Sequence, residues 1–130
     1  MSGTPVHVHA LSRIEAAEPA DTPPERVVAG SGHARVWNAF SGGGGRFHAG
    51  HWAAEPGRIA VDYSETELCV LLVGRVKLTD EAGNSVDFGP GDAFVIDAGF
   101  RGTWESIGRV TKIYAILEPE PEGLSIRPSP

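Results

Sequence analysis

The stretch TELCVLLVGRVKLTDEAGNSVDFGPGDAFVIDAG, residues 66–99, decides how the chain folds. It opens on a run, 66–73, whose one charged residue is Glu67. After Glu67 the run lacks the polar alternation of a half-buried strand, so both faces are expected to be covered. One face would line a barrel interior, the other a neighbouring sheet or subunit. EAGN, GPGD and DAG are turn chemistry and separate strands expected at 66–73, 75–80, 85–89 and 92–98. A carboxylate at the head of such a run is costly to bury unless it is paired, coordinated or protonated.

Outward from this core the pattern repeats. Strands are expected at 34–41, 46–55 and 58–64 on one side and at 102–107 and 109–117 on the other. Seventeen glycines and ten prolines separate them. About nine short strands at regular spacing make an all-β sandwich or barrel. Residues 1–34 read as an N-terminal arm, 35–118 as the barrel and 119–130 as a proline-rich, extended tail. Within the arm, LSRIEAAEPADTPPER (11–26) has room for one short helix before Pro19, ended by Pro23 and Pro24. A chain of 130 residues suits one domain.

Composition removes several function classes. The net charge of -6 argues against nucleic acid or an anionic membrane as the main partner. No apolar run approaches the roughly 20 residues needed to span a bilayer. The N-terminus lacks the features of a secretory signal, so a cytoplasmic location is expected. The one cysteine, Cys69, excludes an intramolecular disulfide and a cysteine-based zinc site. SGGGGR (41–46) lacks the ending of a phosphate loop and reads as a flexible hairpin. There is no Gly-x-Ser-x-Gly elbow, and aromatic and basic residues are too sparse for a nucleic-acid platform.

The GRVKLTD strand (74–80), the GPGD turn and AFVIDAG (93–99) together resemble the core signature of the cupins, small double-sheet jelly-roll barrels. More narrowly, Trp52, Pro56-Gly57, TELCVLLVGRV, GPGDAFVIDAGFRGTWE and KIYAI resemble, in that order, the branch related to the ureidoglycine aminohydrolase domain. The resemblance covers roughly residues 35–117 and implies an all-β, double-stranded β-helix (jelly-roll) barrel with an N-terminal arm. It also implies where a metal would sit: His-x-His, three or four residues, Glu, six residues, Gly. Glu67 and Gly74 fit the second half. The histidine places fall on Val61 and Tyr63, or on Ala60 and Asp62. In the second motif the usual proline is Asp97 and the usual histidine is Gly102. One ligand of four remains, where transition metals usually need three or more. A bowl without metal or other cofactor is therefore expected.

Each candidate residue has two readings. Glu67 should point into the barrel and suits an acid/base role, or it is a structural carboxylate paired with Lys112 or Arg101. Lys112, on one face with Tyr114, is either an outward charge or the inward partner of Glu67, where it would bind an anionic group or stabilise an oxyanion. Tyr63 lies close to a vacated histidine place and could hydrogen-bond a ligand, or it is an ordinary mouth aromatic; Glu65 is expected in solvent. Trp52, Trp104 and Phe47 are ligand platforms or core. Trp104 shares parity with Gly102, which would give its indole room facing the cavity. Cys69 shares the face of Glu67 and reads as a small buried hydrophobe rather than a thiolate. His48 and His51 face opposite ways, with His51 assigned to the bowl; His7 and His9 belong to a flexible arm. The expected function is a small-molecule-binding cupin, with enzyme activity left open: if it is an enzyme, Glu67 is the metal-independent acid/base on a small polar metabolite. A non-catalytic ligand-binding or sensing cupin is the alternative, and a metal-dependent, aminohydrolase-like enzyme with a non-standard ligand set the third. A homodimer is expected.

Overall fold

The computed structural model describes residues 5–120. The strands are β1 (Glu18–Pro19), β2 (Val27–Gly30), β3 (Ala34–Gly42), β4 (Phe47–Ala54), β5 (Gly57–Asp62), β6 (Thr66–Asp80), β7 (Ser85–Phe88), β8 (Ala93–Ile96) and β9 (Arg101–Leu117). The frame is the antiparallel ribbon of β6 and β9, paired from Thr66 opposite Leu117 to Asp80 opposite Gly102. Strands β4 and β8 flank one half of this ribbon, and β5 and β7 flank the other. Strand β3 extends the first sheet beside β4, with β1 beside it, and β2 extends the second beside β5. The two sheets are therefore one ribbon bent double, a jelly roll.

Four of the expected strands are thus two. Glycines at 74 and 108 do not end strands; they bend them, with φ of 83° and 76° in the left-handed region that glycine tolerates best. At Gly74 a Cβ would also run into the carbonyl oxygen of Arg109 on the paired strand. The register slips between Leu71 and Arg75, letting β6 turn the corner while staying paired.

Alternation then decides what goes inside. Glu67, Cys69 and Leu71 point inward from the first half of β6, and Val76 and Leu78 from the second; all are buried. Beside them, on the strands paired with β6, stand Trp104, Val110 and Tyr114 of β9 and Phe94 and Ile96 of β8. Phe88 stacks flat on Phe94, 4.0 Å between centroids. The outer face of β6 is different. Leu68 and Leu72 keep 43% and 37% of their surface exposed, so within one chain only the inner face of this apolar run is covered.

Among its described residues the arm forms no α-helix. Ile14 is 91% exposed, leaving no apolar stripe for a helix to bury. Pro24 opens a single 3-10 turn, Pro24–Arg26, instead. The arm lies over the outer face of β3 and β4: Trp37 Nε1 donates to the carbonyl of Glu15 at 3.0 Å, and the His9 ring meets Phe40 at 4.6 Å.

Gly102 differs from its expected reading. A Cβ there would strike the carbonyl oxygen of Thr79 on the paired strand β6, not the indole of Trp104. Close backbone approach, not cavity room, requires this glycine. Gly102→Ala should lower stability by about 1–3 kcal/mol, the usual cost of overpacking, measured as a fall in the urea midpoint. An unchanged midpoint would return Gly102 to the role of cavity space.

Candidate functional site

The first-sheet half of the barrel opens into a cavity of about 710 Å³. Strand β6 begins at the end of this half, where Thr66 is pinned: its hydroxyl donates to Asp97 Oδ1 at 2.9 Å and accepts the Ala98 amide at 3.2 Å. That fixes Glu67 one residue on, 4% exposed. Lys112 arrives from the neighbouring strand, also inward and 5% exposed, with Nζ 2.7 Å from Glu67 Oε2. The second carboxylate oxygen, Oε1, accepts the Tyr63 hydroxyl at 2.9 Å.

The ammonium is held on three sides. It donates to Cys69 Sγ at 3.7 Å and stands 4.3 Å from the ring centre of Trp104 and 4.7 Å from that of Trp52. The two indoles meet edge to face, 5.5 Å apart at 83°, and Trp104 Nε1 donates to Ser106 Oγ at 3.0 Å. A cation over two indole faces gains electrostatic stabilisation where water is excluded. Burial alone would depress the Lys112 pKa; the Glu67 carboxylate, and after it the Cys69 sulfur, overcome this and hold it above the ordinary lysine value. The Cys69 thiol is pushed up to about 12, chiefly by burial, against the pull of Lys112. Burial, followed by the charge of Glu67, also raises Tyr63, which stays a neutral hydroxyl donor.

A second polar cluster stands on the same wall. Tyr114 donates to Asn38 Oδ1 at 2.7 Å, Asn38 Nδ2 to Ser41 Oγ at 2.8 Å, and Ser41 Oγ lies 2.8 Å from His48 Nδ1. Asn38, His48 and Tyr114 all line the cavity. Burial, then the Glu67 charge, moves Tyr114 up to about 12.

Of the expected site residues, Glu67, Lys112, Tyr63, Trp52 and Trp104 come together around the cavity, and Cys69 lies against Lys112. Three do not join them. Arg101 faces outward, its Nε 3.6 Å from Asp62 Oδ2, so it is not the partner of Glu67. Phe47 is exposed at the hairpin end of β4, its ring 6.1 Å from that of Phe40. His51 lies on the outer face of β4, buried beneath the arm, where burial and then the charge of Arg13 depress its pKa. His48 lines the cavity in its place. Parity with Trp52, four residues on in the same strand, was the signal for it. Glu65 also lines the cavity.

A barrel-centre metal of the kind this fold often holds does not fit these residues. The Glu67 carboxylate is occupied by an ammonium and a phenol, and among the described residues no three His, Cys, Asp or Glu side chains gather. No helix among them is long and apolar enough to cross a membrane.

Residues 41–114 match the family model of the EutQ-like cupin domain. Among solved structures, the chain is similar to a protein of unknown function of the DUF861 family from Pseudomonas syringae pv. tomato. Identity there is 29% and the TM-score 0.73, over 82% of this chain and 46% of that one. It therefore spans less than half the length of that relative. The EutQ protein of Clostridium difficile shares 13% identity at a TM-score of 0.60, over 72% of this chain and 69% of that one. A predicted oxalate decarboxylase from Thermotoga maritima shares 17% at 0.61, over 86% and 99%. At these two identities the likeness carries the fold alone. No curated protein matches the chain.

Removing one member of the buried pair strands the other. Lys112→Met should cost about 3–5 kcal/mol, and Glu67→Gln/Lys112→Met together much less, read from urea unfolding. The raised pKa values set an alkaline limit. Burial pushes the Cys69 thiol from its ordinary 9.0 up to about 12, and Lys112, which burial alone would depress, is raised above 10.5, chiefly by Glu67. In both, the native state holds its proton longer, so this stability is complete below the unfolded pKa and is lost as pH rises through the folded one. Melting temperature should fall steadily from about pH 9 upward, and the fall should be shallower in Cys69→Ala.

Proposed function

The chain belongs to the EutQ-like cupin family, and we propose that it binds a small polar organic molecule against the Glu67–Lys112 pair. One observation carries this reading: a buried ion pair sits at the floor of an open cavity walled by Trp52 and Trp104. Desolvating two charges is expensive, and packed hydrophobic residues would stabilise a purely structural floor at least as well. Such a pair in a cleft is the usual mark of a functional site. The ring walls suit a planar or compact ligand, and Tyr63, Glu67 and Lys112 offer it a hydroxyl, a carboxylate and an ammonium. A ligand group that draws off the ammonium would leave Glu67 as proton acceptor with Tyr63 as neighbouring donor, which is the acid–base reading of the same site. Motif order resembling the ureidoglycine aminohydrolase branch makes small amides and amines the first compounds to screen.

Thermal-shift screening of the chain against polar metabolites, with and without divalent metals, tests this. A ligand at a hundred times its Kd adds about 2.7 kcal/mol of stability, which should vanish in Trp104→Leu. In Glu67→Gln, retained binding with lost turnover would establish the acid–base role, and altered affinity with no product from any ligand would establish a binder. Ligands indifferent to Trp104 and Glu67 would overturn the site. So would stabilisation by metal alone with stoichiometric retention.

A second copy of this chain is the proposed occupant of the outer face of the first sheet. By register, Leu68 lies between Val95 and Ala115, and Val70 opposite Ile113, with no charge among them. On the other sheet Lys77 lies between Asp87 and Glu105, a pattern suited to water. The apolar face continues the part of the sheet that the arm already covers. An isologous contact brings the same uncharged residues together and needs no complementary partner. Sedimentation velocity should show a dimer that Leu72→Asp and Val95→Asp dissociate; a monomeric parent protein would overturn the assignment.

A further inference from the structure

The chain of hydrogen bonds on the cavity wall runs from Tyr114 through Asn38 and Ser41 to His48. Tyr114 spends its proton on Asn38 Oδ1, so Asn38 presents its Nδ2 to Ser41 Oγ. Ser41 Oγ, accepting there, has one proton left, and its other partner is His48 Nδ1 at 2.8 Å. In the tautomer that accepts the Ser41 hydroxyl at Nδ1, His48 carries its own proton on Nε2. That nitrogen faces a carboxylate, Glu118 Oε2, at 3.7 Å. A hydroxyl bonded to an imidazole whose far side meets a carboxylate is the arrangement that activates a serine as nucleophile.

We propose that Ser41, His48 and Glu118 form an acyl-transfer site at the cavity mouth that hydrolyses small carboxylic esters. The fold supplies each part. Ser41 and His48 are directly opposed across the β3–β4 pair. The shift of register between Asn38 and Phe40 brings Asn38 within reach of Ser41, three residues on. Glu118 is held at the end of β9, its amide donating to the Arg46 carbonyl at 2.6 Å and its carbonyl accepting the Arg46 guanidinium at 3.1 Å. Ser41 is exposed, so an ester can reach it, while His48 and Asn38 line the cavity that would take the acyl group. Within the hairpin that joins serine to histidine, the amides of Gly45 and Arg46 are spent on the carbonyls of Gly42 and Gly43. Those of Gly43 and Gly44 donate to no described backbone acceptor.

The steps balance without an oxidant or cofactor. Ser41 Oγ bonds to the ester carbonyl carbon as its proton passes to His48 Nδ1. The tetrahedral adduct collapses, the carbon–oxygen bond to the alcohol breaks, and the alcohol leaves with the proton from His48. Water then attacks the acyl-serine, giving its proton to His48, which returns it to Ser41 Oγ as the acid departs. The net change is ester plus water to acid plus alcohol. The imidazole is used in the reverse sense to the familiar triad, Nδ1 to serine and Nε2 to carboxylate. Proton transfer needs only one nitrogen on each side.

The probe is an alkyl fluorophosphonate on the full chain, with p-nitrophenyl acetate as the turnover reporter. Peptide mass spectrometry should find one adduct per chain, on Ser41, and p-nitrophenol release should show a burst of one equivalent. His48→Asn should slow labelling by about 100-fold or more, the usual contribution of a general base. Ser41→Cys, which keeps a nucleophile at the position, should take up iodoacetamide in a His48-dependent way and guards against a Ser41→Ala variant that fails to fold. An absent adduct at Ser41 in the parent protein would overturn the proposal. Labelling unaffected by His48→Asn would do the same, reducing the chain of bonds to a structural one.

Discussion

The ion pair between Glu67 and Lys112 is the constraint to which the other parts of the cavity conform. Two charges 2.7 Å apart and almost out of water need every remaining lone pair and proton satisfied. The surrounding side chains do so: Tyr63 caps the free carboxylate oxygen, and Cys69 and two indole faces surround the ammonium. Trp104 is fixed in turn by Ser106, and Trp52 by its edge-to-face contact with Trp104. Replacing any one of these disturbs the solvation of a buried charge.

The pair exists because β6 and β9 are neighbours along their whole length. Glu67 and Lys112 come from adjacent strands of a ribbon whose other buried inward positions, Cys69 and Ser106 apart, are aliphatic or aromatic. The same ribbon carries the tightly packed Leu71, Val76 and Val110 around its bend. Floor chemistry and hydrophobic core are thus two stretches of one pair of strands. The polar residues sit where the barrel is open, and the apolar ones where it is closed.

Much of this is legible in the sequence. The apolar run 66–73 with its glutamate, and the GPGD and DAG turns, read as strands, and strand parity turns Glu67, Cys69 and Trp104 inward. Parity leaves Lys112 undecided, because period-two alternation fixes relative faces along one strand but not which face is the interior. Gly74 and Gly108 read as breaks, since glycine serves a turn and a bend equally well; only pairing with a second strand separates the two. Gly102 misleads for the same reason: its requirement is the neighbouring backbone of Thr79, which no local pattern reveals. The histidines of β4 separate into two faces by parity, and Trp52 on the inner face marks His48 as the one that lines the cavity. The Asn38–Ser41 contact rests on a bulge that has no signature in residue type.

The rim of the cavity has a separate origin from its floor. Ala20, Thr22 and Arg26 border the opening, and they come from the arm, ahead of the stretch 41–114 that matches the family. The arm segment is tied to the barrel by the pairing of β1 with β3 and of β2 with β5 rather than by the core. Substitution there would reshape the opening without touching the charge pair at the floor, so the rim and the floor of one barrel are free to change independently.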